Sequence, residues 1–195
     1  MHGLINRAIQ GFVTDSYGEQ KWSEVAKHAQ LSFDGFEAML TYEDELTPQV
    51  LSAVYKVLDR PCADILEDLG TYLVSHPNTE AVRRLLRFGG VNLVDFLHSL
   101  DDLPGRARLA VPDLNLPKIE LREHTSRNYS LTCHSTIEGY GHVMIGILRT
   151  MADDYGALVL LEHQDSHSGF ETIAITLVET EFAEGRSFEL GTHVS

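Results

Sequence analysis

The sequence predicts an α+β fold: an N-terminal helical subdomain packed on a C-terminal four-stranded antiparallel sheet that carries one helix. Two observations predict it. Apolar residues recur with a helical period through the first hundred or so positions, and from Pro112 onward the period turns to alternation. Within that second half the order strand, strand, helix, strand, strand favours an antiparallel sheet over a parallel one. The expected division is one domain over 1–180, with a helical part at 1–111 and an α+β part at 112–180, followed by a loose tail at 181–195.

The elements follow in order. Leu4, Ile5, Ala8, Ile9, Phe12 and Val13 make one apolar helix face, and Gly18 stops it. Trp22, Val25, Ala26 and Ala29 form a second short helix. Thr47 reads as a cap with Pro48 at the first helical position, leading into Val50, Leu51, Val54 and Leu58. Pro61 repeats the device for Ile65, Leu66, Leu69 and Leu73. After the breaker Ser75-His76-Pro77-Asn78, a helix from Ala81 to Phe88 ends at Gly89-Gly90. Asn92 then caps a helix through Leu93, Phe96, Leu97 and Leu100, which Pro104-Gly105 should end or bend. Ile119 and Leu121 belong to a strand, and Tyr129, Leu131 and Cys133 alternate with Ser130, Thr132 and His134 on the next. Gly141 to Tyr155 is helical and stops at Gly156. Two more strands, Ala157 to Gln164 and Glu171 to Glu179, flank a polar hairpin loop at Asp165 to Gly169, with Ile173, Ile175 and Leu177 on one face.

Composition narrows the functional classes. A formal charge of −14 repels phosphate backbones and anionic lipid heads, so neither nucleic acid nor a membrane surface is expected as a partner. No apolar run reaches the roughly 18 residues of a spanning helix, and Asn6, Arg7 and Gln10 interrupt the opening stretch. Cys62 and Cys133 are the only cysteines, one in each half, which fits a reducing cytoplasm.

Short stretches recur in a telling order: MHGLINRAI at the start, Tyr17-Gly18 with Trp22, LEDLGTYL around Gly70, VDFLHSLDDL before Pro104, and EGYGHVMIGIL in the later helix. Together they resemble the haem nitric oxide/oxygen-binding (H-NOX) family, also called haem-NO-binding domains, from Met1 to about Glu179. The resemblance implies a gas sensor in which haem lies between the two halves. It implies nitric oxide as the small ligand, and signal transduction to a histidine kinase or a cyclic-dinucleotide enzyme in trans.

The family's site positions carry over unevenly. Its haem-ligating histidine follows Leu-Asp-x-Leu, and that place is held by Pro104, which offers no side-chain nitrogen to iron. Its Tyr-x-Ser-x-Arg strand, which binds the haem propionates, reads Cys133-His134-Ser135-Thr136-Ile137, so only Ser135 survives. Pro117 falls where the family keeps a proline against the macrocycle. Ile5, Leu73 or Val74, and Val143 supply apolar wall positions. Val143 stands where oxygen-binding relatives place a tyrosine, so a bound haem would favour nitric oxide over oxygen. The alternative is a haem-free regulatory module that kept the fold and lost the cofactor.

Several other residues carry groups that could ligate or catalyse. His98 is the histidine nearest the vacant position and the candidate metal ligand, although on one continuous helix six residues at about 100° each turn it some 120° away from position 104. His134 and His142 lie beside the matched stretches, but alternation points Cys133, not His134, inward. Glu162, His163, Asp165 and His167 lack convincing third and fourth ligands for zinc and read as a solvated hairpin. Asp101-Asp102 and Asp153-Asp154 read as solvated helix surface, Met144 and Met151 as core. No catalytic constellation appears, so no enzyme is expected. Gly89, Gly90, Gly139 and Gly141 are candidate hinge points.

Overall fold

A computed structural model describes residues 2–167 and 169–187. α1 (Gly3–Tyr17) begins where the His2 ring accepts the Leu4 N–H, and buries Ile9, Phe12 and Val13. At Gly18, φ is +93°, a value glycine adopts without strain, and the chain turns straight into α2 (Glu19–His28). Trp22 and Val25 bury from α2, and the irregular segment that follows folds Phe33, Phe36 and Tyr42 into an aromatic cluster beside Trp22.

α3 (Leu46–Leu58) starts one residue before the expected cap. Thr47 lies inside the helix, fully buried, and its hydroxyl donates to Asn6 Oδ1 at 2.7 Å. A buried amide requires a partner, and that need outranks the local capping preference. α4 (Cys62–Ser75) follows Pro61 as expected, and α5 (Glu80–Arg87) ends before Gly89-Gly90.

The next helix differs from expectation. α6 (Leu93–His98) is capped by Asn92, whose Oδ1 accepts the Asp95 N–H at 2.9 Å, but it ends at His98. A 3-10 turn spans Leu100–Asp102, and α7 (Leu103–Ala110) then opens with Pro104 in its first turn. The proline initiates a helix; it does not end one. The first turn tolerates proline because its N–H has no intrahelical acceptor there.

The second half runs β1 (Lys118–Thr125), β2 (Asn128–His134), α8 (Tyr140–Tyr155), β3 (Leu158–His167) and β4 (Phe170–Glu179). The strands lie in the order β1-β2-β4-β3, every neighbouring pair antiparallel. Leu131 pairs with Leu121 on one side and Ile173 on the other, and Cys133 with Ile119 and Glu171. Ile119, Tyr129, Leu131, Cys133, Ile173, Ile175 and Leu177 form the inner face, onto which α8 lays Met144, Leu148 and Met151. The hairpin is tighter than the sequence suggests: β3 continues to His167 and pairs with Phe170, so strand covers most of the expected Asp165–Gly169 loop.

The start of the tail is tied down. Phe182 N–H and Ala183 N–H donate to the Gly156 carbonyl, and Arg186 N–H donates to that of Asp154. Among the described residues no helix is long and apolar enough to cross a membrane.

Candidate functional site

The two lobes meet where α4 crosses α8. Glycine makes the crossing close: a Cβ on Gly70 would lie 2.1 Å from the Val143 carbonyl oxygen, and one on Gly146 2.0 Å from that of Glu67. Two apolar clusters flank the seam, one built from α1–α4 and the other from the sheet, α8 and α5–α7. Val143 packs on both. Three of the expected wall residues, Ile5, Leu73 and Val143, each lie half-buried against the α1–α4 cluster, as does Ile137.

Beside the seam stands a chain of side chains from four elements. Glu171, at an inward register position of β4, is buried; its Oε1 accepts the Gly139 N–H and its Oε2 the Gly141 N–H, each at 2.8 Å. The carboxylate thus satisfies backbone donors at the start of α8, where negative charge is favourable. His163 Nε2 donates to the same Oε2 at 2.9 Å, since a carboxylate only accepts. The His163 ring stacks on His142, with centroids 4.2 Å apart and planes 11° off parallel. His142 Nδ1 lies 3.3 Å from Glu67 Oε1, and Arg149 donates to Glu67 Oε2 at 3.0 Å. The arrangement ties β4 and β3 through α8 to α4.

No local motif in the sequence marks Glu171. Its signal is a charged residue in phase with Ile173, Ile175 and Leu177, which an inward register makes a buried carboxylate in need of donors.

The remaining expected residues lie apart from this seam. Pro104 is half-buried in the first turn of α7, where Leu103 and Ala107 are the buried positions. His98 is exposed at the end of α6, its Nε2 3.3 Å from Glu123 Oε2 and its ring edge-on to Tyr129. The break between α6 and α7 removes the continuous helix that a relation of about 120° between His98 and position 104 requires. Ser135 Oγ accepts the Ile137 N–H at 3.0 Å, and Pro117 is half-buried ahead of β1. His134 faces outward beside Glu120 and Phe170. Cys133 is fully buried, and burial, with the charge of Glu171, pushes its thiol up to about 12. A depression of about 720 Å³ lies elsewhere, on the outer face of the sheet, lined by polar residues including Glu120, Arg122, Ser130, Thr132, Thr172 and Thr176.

A family model described as haem-NO-binding, HNOB, matches residues 2–163. The chain belongs to the HNOB family. Among relatives of this HNOB chain, soluble guanylate cyclase gcy-31 of Caenorhabditis elegans is 28% identical over 156 residues, covering 79% of the chain and 22% of the cyclase. Soluble guanylate cyclase 89Db of Drosophila melanogaster is 21% identical over 183 residues, 92% of the chain and 27% of the cyclase. The chain therefore spans about a quarter of these relatives. The fold is that of solved H-NOX proteins. The Fe(II) unliganded H-NOX protein from K. algicida superposes with a TM-score of 0.76 at 17% identity, over 97% of this chain and 100% of that one. An H-NOX protein from S. oneidensis in the Fe(II)NO state gives 0.74 at 17%, over 91% and 99%.

The residues of this HNOB chain do not fit a haem held through its iron. Axial ligation needs a nitrogen, sulfur or oxygen donor. Pro104 has none, His98 is turned to Glu123, and the Cys133 thiol is held protonated. Where a propionate would call for the family's arginine, Ile137 packs on the apolar fringe instead. Among the described residues no group of three or more His, Cys, Asp or Glu is arranged to hold a metal ion.

Proposed function

We propose that this HNOB chain is a regulatory module that works without an iron-ligated haem and passes its signal to a separate enzyme, catalysing nothing itself. The observation that carries this reading is that α7 opens on Pro104, half-buried beside the buried Leu103, at the place where the sequence resemblance puts the family's ligand. The retained seam between α4 and α8 supports a fold kept for its contacts. The enzyme acted upon is a histidine kinase or a cyclic-dinucleotide enzyme in trans. The relatives named soluble guanylate cyclases support an association of this fold with nucleotide chemistry. Cys62 and Cys133, both unpaired, support a cytoplasmic setting.

A second reading is favoured by the half-buried apolar side chains of Ile5, Leu73 and Val143 against the α1–α4 cluster: haem or another apolar ligand occupies the seam, and nitric oxide is sensed there. An absorption spectrum separates the two. Protein purified with ample haem, then reconstituted and exposed to nitric oxide, is expected to give no Soret band that responds to the gas. A responsive band lost on His98→Ala would overturn the haem-free reading and make His98 the ligand. Pro104→His is the companion variant, expected to raise haem affinity only if an apolar cavity persists. Adding the purified chain to the kinase or cyclic-dinucleotide enzyme is expected to change its rate with or without nitric oxide.

A further inference from the structure

The two edges of the sheet are treated very differently. An edge strand presents a row of unpaired N–H and C=O groups that will accept another strand unless something blocks it. β1 is blocked. Lys118, Glu120, Arg122, Glu123 and His124 are exposed along it, and the Leu121 N–H is already taken by Asp101 Oδ1 at 2.6 Å. β3, at the opposite edge, has none of this over its first half. Leu158, Val159, Leu160 and Leu161 run without a charge or a proline, and pairing with β4 is regular from Val159 to Gln164. Among the described residues no backbone hydrogen bond reaches β3 from any element but β4.

The side chains are incomplete there as well. Val159 and Leu161 point toward the core yet stay half-covered, whereas their partners on β4, Leu177 and Ile175, are buried. On the outer face Leu160 is 62% exposed and Leu158 38%.

We propose that the β3 edge is the docking site for β3 of a second copy of this chain, added antiparallel about a twofold axis at Leu160, to give a continuous sheet across the pair. This register is self-complementary. Leu160 faces Leu160 of the second copy on the outer side, and Val159 faces its Leu161 on the inner side, covering the two half-exposed side chains from each copy. The Glu162 carboxylates fall opposite Leu158, four residues apart along the seam, or about 13 Å at strand spacing. That exceeds the screening length of about 8 Å at physiological salt, so like charge does not forbid the register. With −14 on each copy the long-range repulsion is real, and association strengthens as salt is raised.

The test is the mass of the full chain in solution. Sedimentation and light scattering across micromolar to submillimolar concentrations are expected to rise from 21.8 kDa toward twice that value, more readily at 0.5 M than at 0.05 M salt (about 3 and 30 Å screening lengths bracket these conditions). Leu160→Lys, at an exposed position and with the fold checked by circular dichroism, is expected to weaken the dimer at least tenfold. On a Cys62→Ser background, Leu160→Cys is expected to cross-link two copies under mild oxidation, and Arg122→Cys on the β1 edge is not. A mass of 21.8 kDa at every concentration and salt, or a dimer indifferent to Leu160→Lys, overturns the proposal. So does a monomer whose β3 amides resist hydrogen exchange, because another part of the chain would then hold that edge.

Discussion

Gly70 of α4 and Val143 of α8 approach so closely that a Cβ at position 70 would stand 2.1 Å from the Val143 carbonyl oxygen. Backbone, not a flexible side-chain end, meets the added atom. Gly70→Ala therefore forces the helices apart and is expected to destabilise the chain by about 1–3 kcal/mol. Gly105, in the first half of α7, has nothing within 4 Å of its missing Cβ. Gly105→Ala is expected to stabilise by about 0.5–1 kcal/mol through helix propensity. Urea denaturation of the two variants checks both signs.

Glu171 serves two backbone donors and one imidazole from a buried position. Glu171→Ala strands the Gly139 and Gly141 N–H groups, at a cost of about 1–3 kcal/mol for each donor left unsatisfied. Glu171→Gln keeps one accepting oxygen and is expected to lose less. Denaturation midpoints order the three proteins, and the Gly141 amide resonance shifts most in the alanine variant.

The two cysteines differ in chemistry. Cys62 is exposed at the start of α4, whereas Cys133 is buried with its thiol pushed up to about 12. Under native conditions at pH 8, iodoacetamide is expected to modify Cys62 readily and Cys133 more than about a hundredfold more slowly. Mass spectrometry of timed aliquots reads the ratio, and denaturant abolishes the difference.

Asp15 on α1 accepts from the Tyr72 hydroxyl at 2.7 Å and from the Asn78 amide at 2.9 Å. These bonds, with His76 nearby, hold its carboxyl below the usual range against a small opposing effect of burial. The folded state therefore binds this proton less readily than the unfolded chain. The stabilisation is full above the ordinary value near pH 4 and fades as pH falls through the depressed one. Asp15→Asn is expected to be less stable than the parent at pH 7, by less than about 1 kcal/mol for so accessible a group, with the gap closing toward pH 2. Thermal melts across that range decide it.

Much of this architecture is legible in residue order. The alternation of Tyr129, Leu131 and Cys133 marks the inner face of β2, and Gly18 and Gly156 mark turns whose φ is positive. Pro104 was ambiguous in principle: proline suits both the end of one helix and the first turn of the next, and only the spacing of α6 from α7 decides between them. The seam was harder still. Glu67 and His142 are 75 positions apart, and no local period announces that α4 and α8 cross there. Parity alone could have marked Glu171 as buried, but not which donors it serves. At Thr47 a long-range need, the bond to Asn6, overrode a sound local rule.

Val143 has a consequence for how the chain comes apart. It lies against both apolar clusters, at a crossing where glycines let two backbones touch. Heat consequently finds no cleavage plane between the lobes: loosening one bares the other to water. The whole chain should melt in a single step, with calorimetric and van't Hoff enthalpies equal, and a strain introduced on either side of that crossing will be felt on the far side before it can be relieved locally.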